Sequence, residues 1–248
     1  MIERAIHVFR PHHLELRRRV VRIFLAVIAC SCVAYIFSET IAAFLIIPLY
    51  EATPLMKKLV YTNLPEAFIA YIKLSLLVGV AASFPVILYQ SWSFVAPGLK
   101  KNEKHLAITV VFWGTLLFLL GTFFALFGIL PRMLVYFMSY ASESLEPLPK
   151  FGKYLTFVIR TVLAFGLAFQ IPFLMVMTGR ARLVTPHYFR TKRIYFYGAI
   201  VVLAFLLSAG DLMATVLLAI PLMLLYESGI VLMRLFTGKS TIPPTDDQ

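Results

Sequence analysis

Ahead of the C-terminal tail, three carboxylates, Glu3, Glu15 and Glu103, lie in segments that carry most of the chain's basic residues. Glu15 stands in Leu14-Glu15-Leu16-Arg17 and Glu103 in Lys100-Lys101-Asn102-Glu103-Lys104. A carboxylate among cations can pair locally, and at an exposed surface such a pair is worth only about 0–1 kcal/mol. Composition alone favours that reading. A second polar set, Lys73, Arg160, Gln170 and Glu227, falls inside apolar runs and forms no obvious constellation. Asp211 follows Ser208-Ala209-Gly210 and precedes another apolar run, a place where its carboxylate can cap a helix by accepting from free N–H groups. Signatures of bond-breaking chemistry are missing: there is no H-E-x-x-H, no Walker A loop and no G-x-S-x-G. His7, His12, His13, His105 and His187 lie in or near the polar segments. Cys30 and Cys32 form a C-S-C without metal-ligand spacing and read as packing residues. Neither enzymatic activity nor a metal or cofactor is expected.

The elements that must position these residues are membrane spans. The chain has 248 residues, 60% hydrophobic and 14% charged, against roughly 45–50% apolar and about 25% charged in a soluble domain. Apolar runs near 20–38, 67–90, 106–130, 153–178, 194–209 and 212–235 approach the ~20 residues that a spanning helix needs. The expected fold is all-α: one integral-membrane domain over 1–248 with six transmembrane helices and a disordered tail over 240–248. The net charge of +11 is a topology signal rather than a nucleic-acid footprint, because the basic residues sit at the ends of apolar runs. Of the 23 basic residues, Lys57, Lys58, Arg132, Lys150 and Lys153 fall in exterior segments and Lys73 and Arg160 in spans, leaving sixteen in cytoplasmic segments. Both termini are therefore expected in the cytoplasm. Arg18-Arg19 ahead of Val27-Ile28-Ala29-Cys30 resembles a lipoprotein leader, but Arg22 interrupts the apolar region and five spans follow, so the first run is expected to be retained.

The fifth run, Ile194 to Ala209, is about 24 Å long as a helix, short of the ~30 Å hydrocarbon core, and the sixth meets Glu227 after a similar length. Short fifth and sixth helices imply a thinned bilayer or cover by a partner. Pro85, Pro172 and Pro221 interrupt the second, fourth and sixth spans and predict a curved bundle.

Several separated motifs resemble one family. His12-His13-Leu14-Glu15-Leu16-Arg17-Arg18-Arg19 is similar to the N-terminal H-L-x-E-L-R-x-R element of the TatC family. Pro65-Glu66-Ala67-Phe68 with Lys73, and the stretch from Pro85 through Gln90 and Phe94-Val95-Ala96-Pro97-Gly98-Leu99 to Glu103, resemble its second span and first cytoplasmic loop. Ala164 to Pro172, and Leu218 to Leu222 with Tyr226-Glu227, resemble its fourth and sixth spans. The likeness runs in order along nearly the whole chain.

The resemblance implies a non-enzymatic receptor in the bacterial inner membrane, exporting folded precursors with twin-arginine signal peptides at the expense of the proton-motive force. It implies Glu15 and Glu103 as the twin-arginine site, with His12, Arg17, Phe94, Pro97 and Leu99 around it. A guanidinium fork meets a carboxylate bidentately, which lysine cannot reproduce. By the same resemblance Pro48, in the first exterior loop, and Phe68 support the exterior cap. Pro85, Gln170, Phe205, Asp211, Pro221 and Glu227 are structural or partner-docking positions. The partners implied are TatA-type and TatB-type single-span subunits, membrane lipids and further copies of the chain, with no nucleic acid. Three positions depart from the family pattern: His13, Gln170 where many relatives carry an acid, and Ser208-Ala209-Gly210 in place of a proline-containing turn. The competing reading is a secondary transporter of a small solute, with a midplane site at discontinuous helices.

Overall fold

In a computed structural model, the described residues are 2–52, 59–61, 63–95, 104–140, 148–181, 183–208 and 210–237. Side chains are described over 15–50, 59–61, 63, 65–94, 108–140, 148–181, 183–208 and 210–236. The described backbone is mostly helical, with one isolated parallel bridge between Val60 and Lys150. The chain divides into two compact units, Met1–Leu163 and Ala164–Gln248.

The first unit holds α1 (Ile2–Ile36), α2 (Ser38–Ala52), α3 (Leu64–Val95), α4 (Lys104–Phe123), a π-helical segment (Phe124–Ile129), α5 (Leu130–Met138) and most of α6 (Phe151–Ala168). Stretches long and apolar enough to cross a membrane are Glu15–Ile36, Pro65–Phe94, Ile108–Met138 and Phe151–Arg180, and in the second unit Leu212–Phe236. The fifth apolar run forms a shorter apolar helix, Arg193–Leu207. With it, each of the six expected spans is mostly helical over its described residues.

Contacts at small residues set the spacing of the first unit. A methyl group placed on Gly79 of α3 would strike Ser31 of α1, its backbone N at 2.7 Å and its Cα at 2.8 Å, so the two helix backbones nearly touch there. Phe84 stacks on Phe118, ring centroids 3.9 Å apart, and joins α3 to α4. α2 was not foreseen as a helix. Ser38, Ala42, Leu45 and Leu49 recur at helical spacing on one buried face, and Pro48, expected in a loop, lies buried inside this helix. The Tyr154 hydroxyl of α6 donates to the Leu45 carbonyl at 2.6 Å.

Proline places two of the breaks. Pro131 cannot donate, and its ring crowds the carbonyl of Phe127. The chain answers with the π-helical segment, closed by the Leu130 N–H on the Ala125 carbonyl, while the Arg132 guanidinium donates to the Gly128 carbonyl. Pro172 crowds the carbonyl of Ala168 in the same way, and α6 ends at Ala168.

The second unit holds α7 (Gln170–Arg180), α8 (Pro186–Thr191), α9 (Arg193–Leu207) and α10 (Leu212–Thr237), after the last turn of α6. α10 packs along α7, where a Cβ on Gly229 would lie 2.6 Å from the Met175 sulfur and 3.0 Å from the Pro172 Cα. It also packs on α9, through Phe196 stacked on Tyr226 at 5.0 Å. Between α9 and α10 the chain reverses at Gly210, whose φ of +90° is a left-handed conformation that glycine adopts freely. Asp211 Oδ1 accepts the Ala214 N–H at 2.7 Å, the capping geometry expected of it. α9 is short, 15 residues or about 22 Å. α10 is longer than the expected short sixth helix: its 26 residues run through Glu227 to Thr237, because the carboxylate that ends the apolar run is neutralised within the helix pair.

Candidate recognition site and polar network

Glu15 lies on α1 as the first residue of the stretch Glu15–Ile36 that is long and apolar enough to cross a membrane. The Arg19 guanidinium holds its Oε1 through Nε, at 3.1 Å, and through Nη2. The pair is one helical turn apart with the acid N-terminal to the base, the favourable order. The Glu15 side chain is 44% exposed and that of Arg19 17%, so the acid stays open to an incoming cation while its resident partner is largely covered. Arg17 is exposed beside it. The site therefore already grips a guanidinium, one supplied by its own helix.

Level with Glu15 stands the end of α3. From the Gly79–Ser31 contact, Glu15 is about 24 Å along α1 and Phe94 about 22 Å along α3. Phe94 is half-buried in the last turn of α3. From the Phe84–Phe118 stack, α4 returns to its first residue, Lys104, about 21 Å away at the same end. Pro97, Leu99 and Glu103 lie outside the described residues, as does the side chain of His12, although its backbone belongs to α1. Glu15, Arg17, Arg19 and Phe94 thus lie toward the end of the first unit at which α4 begins.

The other positions scatter. Phe68 is exposed in the first turn of α3, where the neighbouring Glu66 accepts the Gly152 N–H at 3.2 Å. Pro85 lies within a continuous α3 and Pro221 within a continuous α10. Gln170 is buried at the first turn of α7. Phe205 is exposed on α9. Lys73 and Arg160 are exposed.

Glu227 belongs to a network that was not anticipated. Arg193 Nη2 donates to its Oε2 at 2.7 Å, and the Tyr197 hydroxyl donates to its Oε1 at 2.5 Å. Both donors come from α9, one turn apart. Tyr226, fully buried beside them, donates its hydroxyl to the Phe189 carbonyl at 2.8 Å. At the opposite end of the same helix pair, the buried hydroxyls of Ser208 and Thr215 hydrogen-bond at 2.7 Å. The available signal was the Arg193/Tyr197 spacing of one turn, masked by placing Arg193 among the loop cations. Among the described residues no group of His, Cys, Asp and Glu could hold a metal ion.

Known proteins resemble the chain along most of its length. Residues 11–221 match the family model described as Sec-independent protein translocase protein (TatC). The chain is 36% identical over 231 residues to the Sec-independent protein translocase protein TatC of Desulforapulum autotrophicum, covering 93% of this chain and 86% of that one. It is 32% identical over 228 residues to the Escherichia coli protein of the same name, with 92% and 88% covered. A crystal structure described as the twin arginine translocase receptor TatC superposes with a TM-score of 0.83 at 34% identity, over 92% of this chain and all of that one.

Proposed function

The chain belongs to the TatC family, a multi-pass membrane component of a Sec-independent protein translocase and not an enzyme; from that premise we propose that it is the receptor for twin-arginine signal peptides, with Glu15 and Glu103 as its two anchoring carboxylates. The observation that carries the reading is the Arg19 guanidinium on Glu15, at the level of Phe94 and the start of α4. An arriving arginine replaces a neighbour that contributes little, and gains a charge-assisted hydrogen bond worth roughly 1.5–3 kcal/mol. Glu103, just ahead of α4, takes the second arginine. The surrounding cations, Arg17, Arg18, Arg22, Lys100, Lys101 and Lys104, repel basic peptides that do not satisfy both carboxylates.

In this reading both termini are cytoplasmic, as the charge bias supports, and TatA-type and TatB-type single-span subunits dock for export driven by the proton-motive force. The dock is the exposed face of α9, with Phe205 and Leu206, because a helix of about 22 Å leaves a mismatch with a ~30 Å core that a partner helix can cover. Disulfide crosslinks from cysteines at 205 or 206 to a partner helix are expected, and failure at both with crosslinks elsewhere on the bundle moves the dock.

The receptor reading is tested by binding of a twin-arginine signal peptide to the detergent-purified chain, beside the same peptide with both arginines replaced by lysine. Twin-arginine binding at least tenfold tighter is expected. Equal binding of the two peptides contradicts recognition by a carboxylate pair.

A further inference from the structure

Lys153 and Arg160 occupy one stripe of α6. Residues seven apart on a helix return to within about 20° of the same direction, and both are exposed. Among the described residues neither has an ion-pair or hydrogen-bond partner. An exposed, uncompensated guanidinium on a membrane-spanning helix calls for an anion from outside the chain.

Neighbours within the first unit give the depth. The first turn of α6 belongs to a cap built from loops: Lys150 bridges Val60, the Phe151 N–H donates to the Val60 carbonyl at 2.9 Å, and the Gly152 N–H donates to Glu66. One turn deeper, Phe157 packs edge-on against Phe137 at 5.9 Å. Phe137 is flanked by Tyr136 of α5 and by Tyr140 in the turn just past its end, the two hydroxyls lying 2.6 Å apart. Tyrosines at the end of a spanning helix mark the water–hydrocarbon boundary, so Phe157 lies at that boundary. Lys153 is then about 6 Å toward water and Arg160 about 4.5 Å toward hydrocarbon. Helical side chains tilt toward the N-terminus, and α6 starts in the cap, so the Arg160 guanidinium leans back up to the boundary.

We propose that Lys153 and Arg160 hold the headgroup phosphate of an anionic phospholipid, in the leaflet that meets the Tyr136–Tyr140 end of the first unit. Two cations astride the boundary match the level at which lipid phosphates lie; a carboxylate on another transmembrane helix would suit a cation near the midplane instead. The guanidinium supplies a bidentate fork for the phosphate from below, and the ammonium closes it from above.

The probe is photoactivatable phosphatidylglycerol, present in both leaflets of vesicles holding the full chain, so that the result does not depend on how the chain is oriented. Labelled peptides are mapped by mass spectrometry. Labelling of residues 151–168 is expected with this lipid and several-fold less with photoactivatable phosphatidylcholine. Arg160→Gln is expected to lower it at least fivefold, Lys153→Gln about twofold, and Arg160→Lys less than Arg160→Gln. Lys73→Gln, which removes an exposed cation from α3, should leave it unchanged. All three sites are exposed, and each variant is checked for an unaltered melting temperature. Equal labelling by the two lipids, or equal loss in Lys73→Gln, overturns the site. So does loss of lipid labelling on reconstitution with single-span subunits, accompanied by crosslinks from position 160 to an acidic residue of one of them.

Discussion

Glu15 and Glu227 are the same side chain on two membrane helices, and each holds an arginine. Glu15 takes Arg19 from its own helix, one turn away, with nearly half of its surface exposed. Glu227 takes Arg193 and Tyr197 from another helix, one donor on each oxygen, and ties α10 to α9. The first pair lies within one helix, so breaking it unties no second helix. The second joins two helices, so breaking it removes a charged tie and a hydroxyl tie between α9 and α10. A local pair leaves a carboxylate exchangeable and therefore available to a ligand; a pair between helices makes it part of the scaffold.

The widest separation should come from thermal unfolding in detergent. Glu227→Ala is expected to destabilise the protein by about 2 kcal/mol, less than the 3–5 kcal/mol of a fully buried pair because a third of the side chain is exposed. Glu15→Ala should shift the melting temperature hardly at all. Equal shifts would erase the distinction between the two sites. A smaller effect is expected at Gly229, where an added methyl must displace the Met175 sulfur and crowd the Pro172 backbone. Gly229→Ala should cost about 1–2 kcal/mol on the same unfolding assay, whereas Gly198→Ala, with open space around it, should be neutral or slightly stabilising. The smallest effect is at Arg19. Removing the resident guanidinium with Arg19→Gln should tighten twin-arginine peptide binding by no more than about fivefold, the scale of a pair one helical turn apart whose acid is open to water. A loss of binding instead would mean that Arg19 orients the carboxylate rather than competing for it.

The apolar runs revealed the spans because a bilayer demands length and hydrophobicity, both visible in composition. Where helices bend or begin depended on subtler terms. α2 was hidden since Ser38–Ala52 is apolar and adjoins the first run, and Pro48 suggested a loop although a neighbouring helix can support a proline inside a helix. Pro172 gave the break in the fourth span, whose position follows from the carbonyl four residues earlier, while the π-helical answer to Pro131 left no mark that length or hydropathy could detect. Glu15 was legible as an acid among bases, and its pairing with Arg19 follows from a spacing of four. The partners of Glu227 were not legible, because Arg193 belongs by composition to a loop and by geometry to the first turn of α9. Pairing across helices depends on rotation about each axis, which a run of apolar residues does not encode.

The central claim is that two carboxylates 88 positions apart act as one site, and calorimetric titration of a twin-arginine signal peptide against Glu15→Ala, Glu103→Ala and the double variant tests it most directly. Each single change is expected to weaken binding more than tenfold without altering the melting temperature, with Glu3→Ala as an unaffected control. The double variant should lose less than the two single losses combined, because both carboxylates serve one bound motif. Unchanged binding in both single variants, with the protein normally inserted and assembled, would contradict the account and leave Glu15 with a local role on α1.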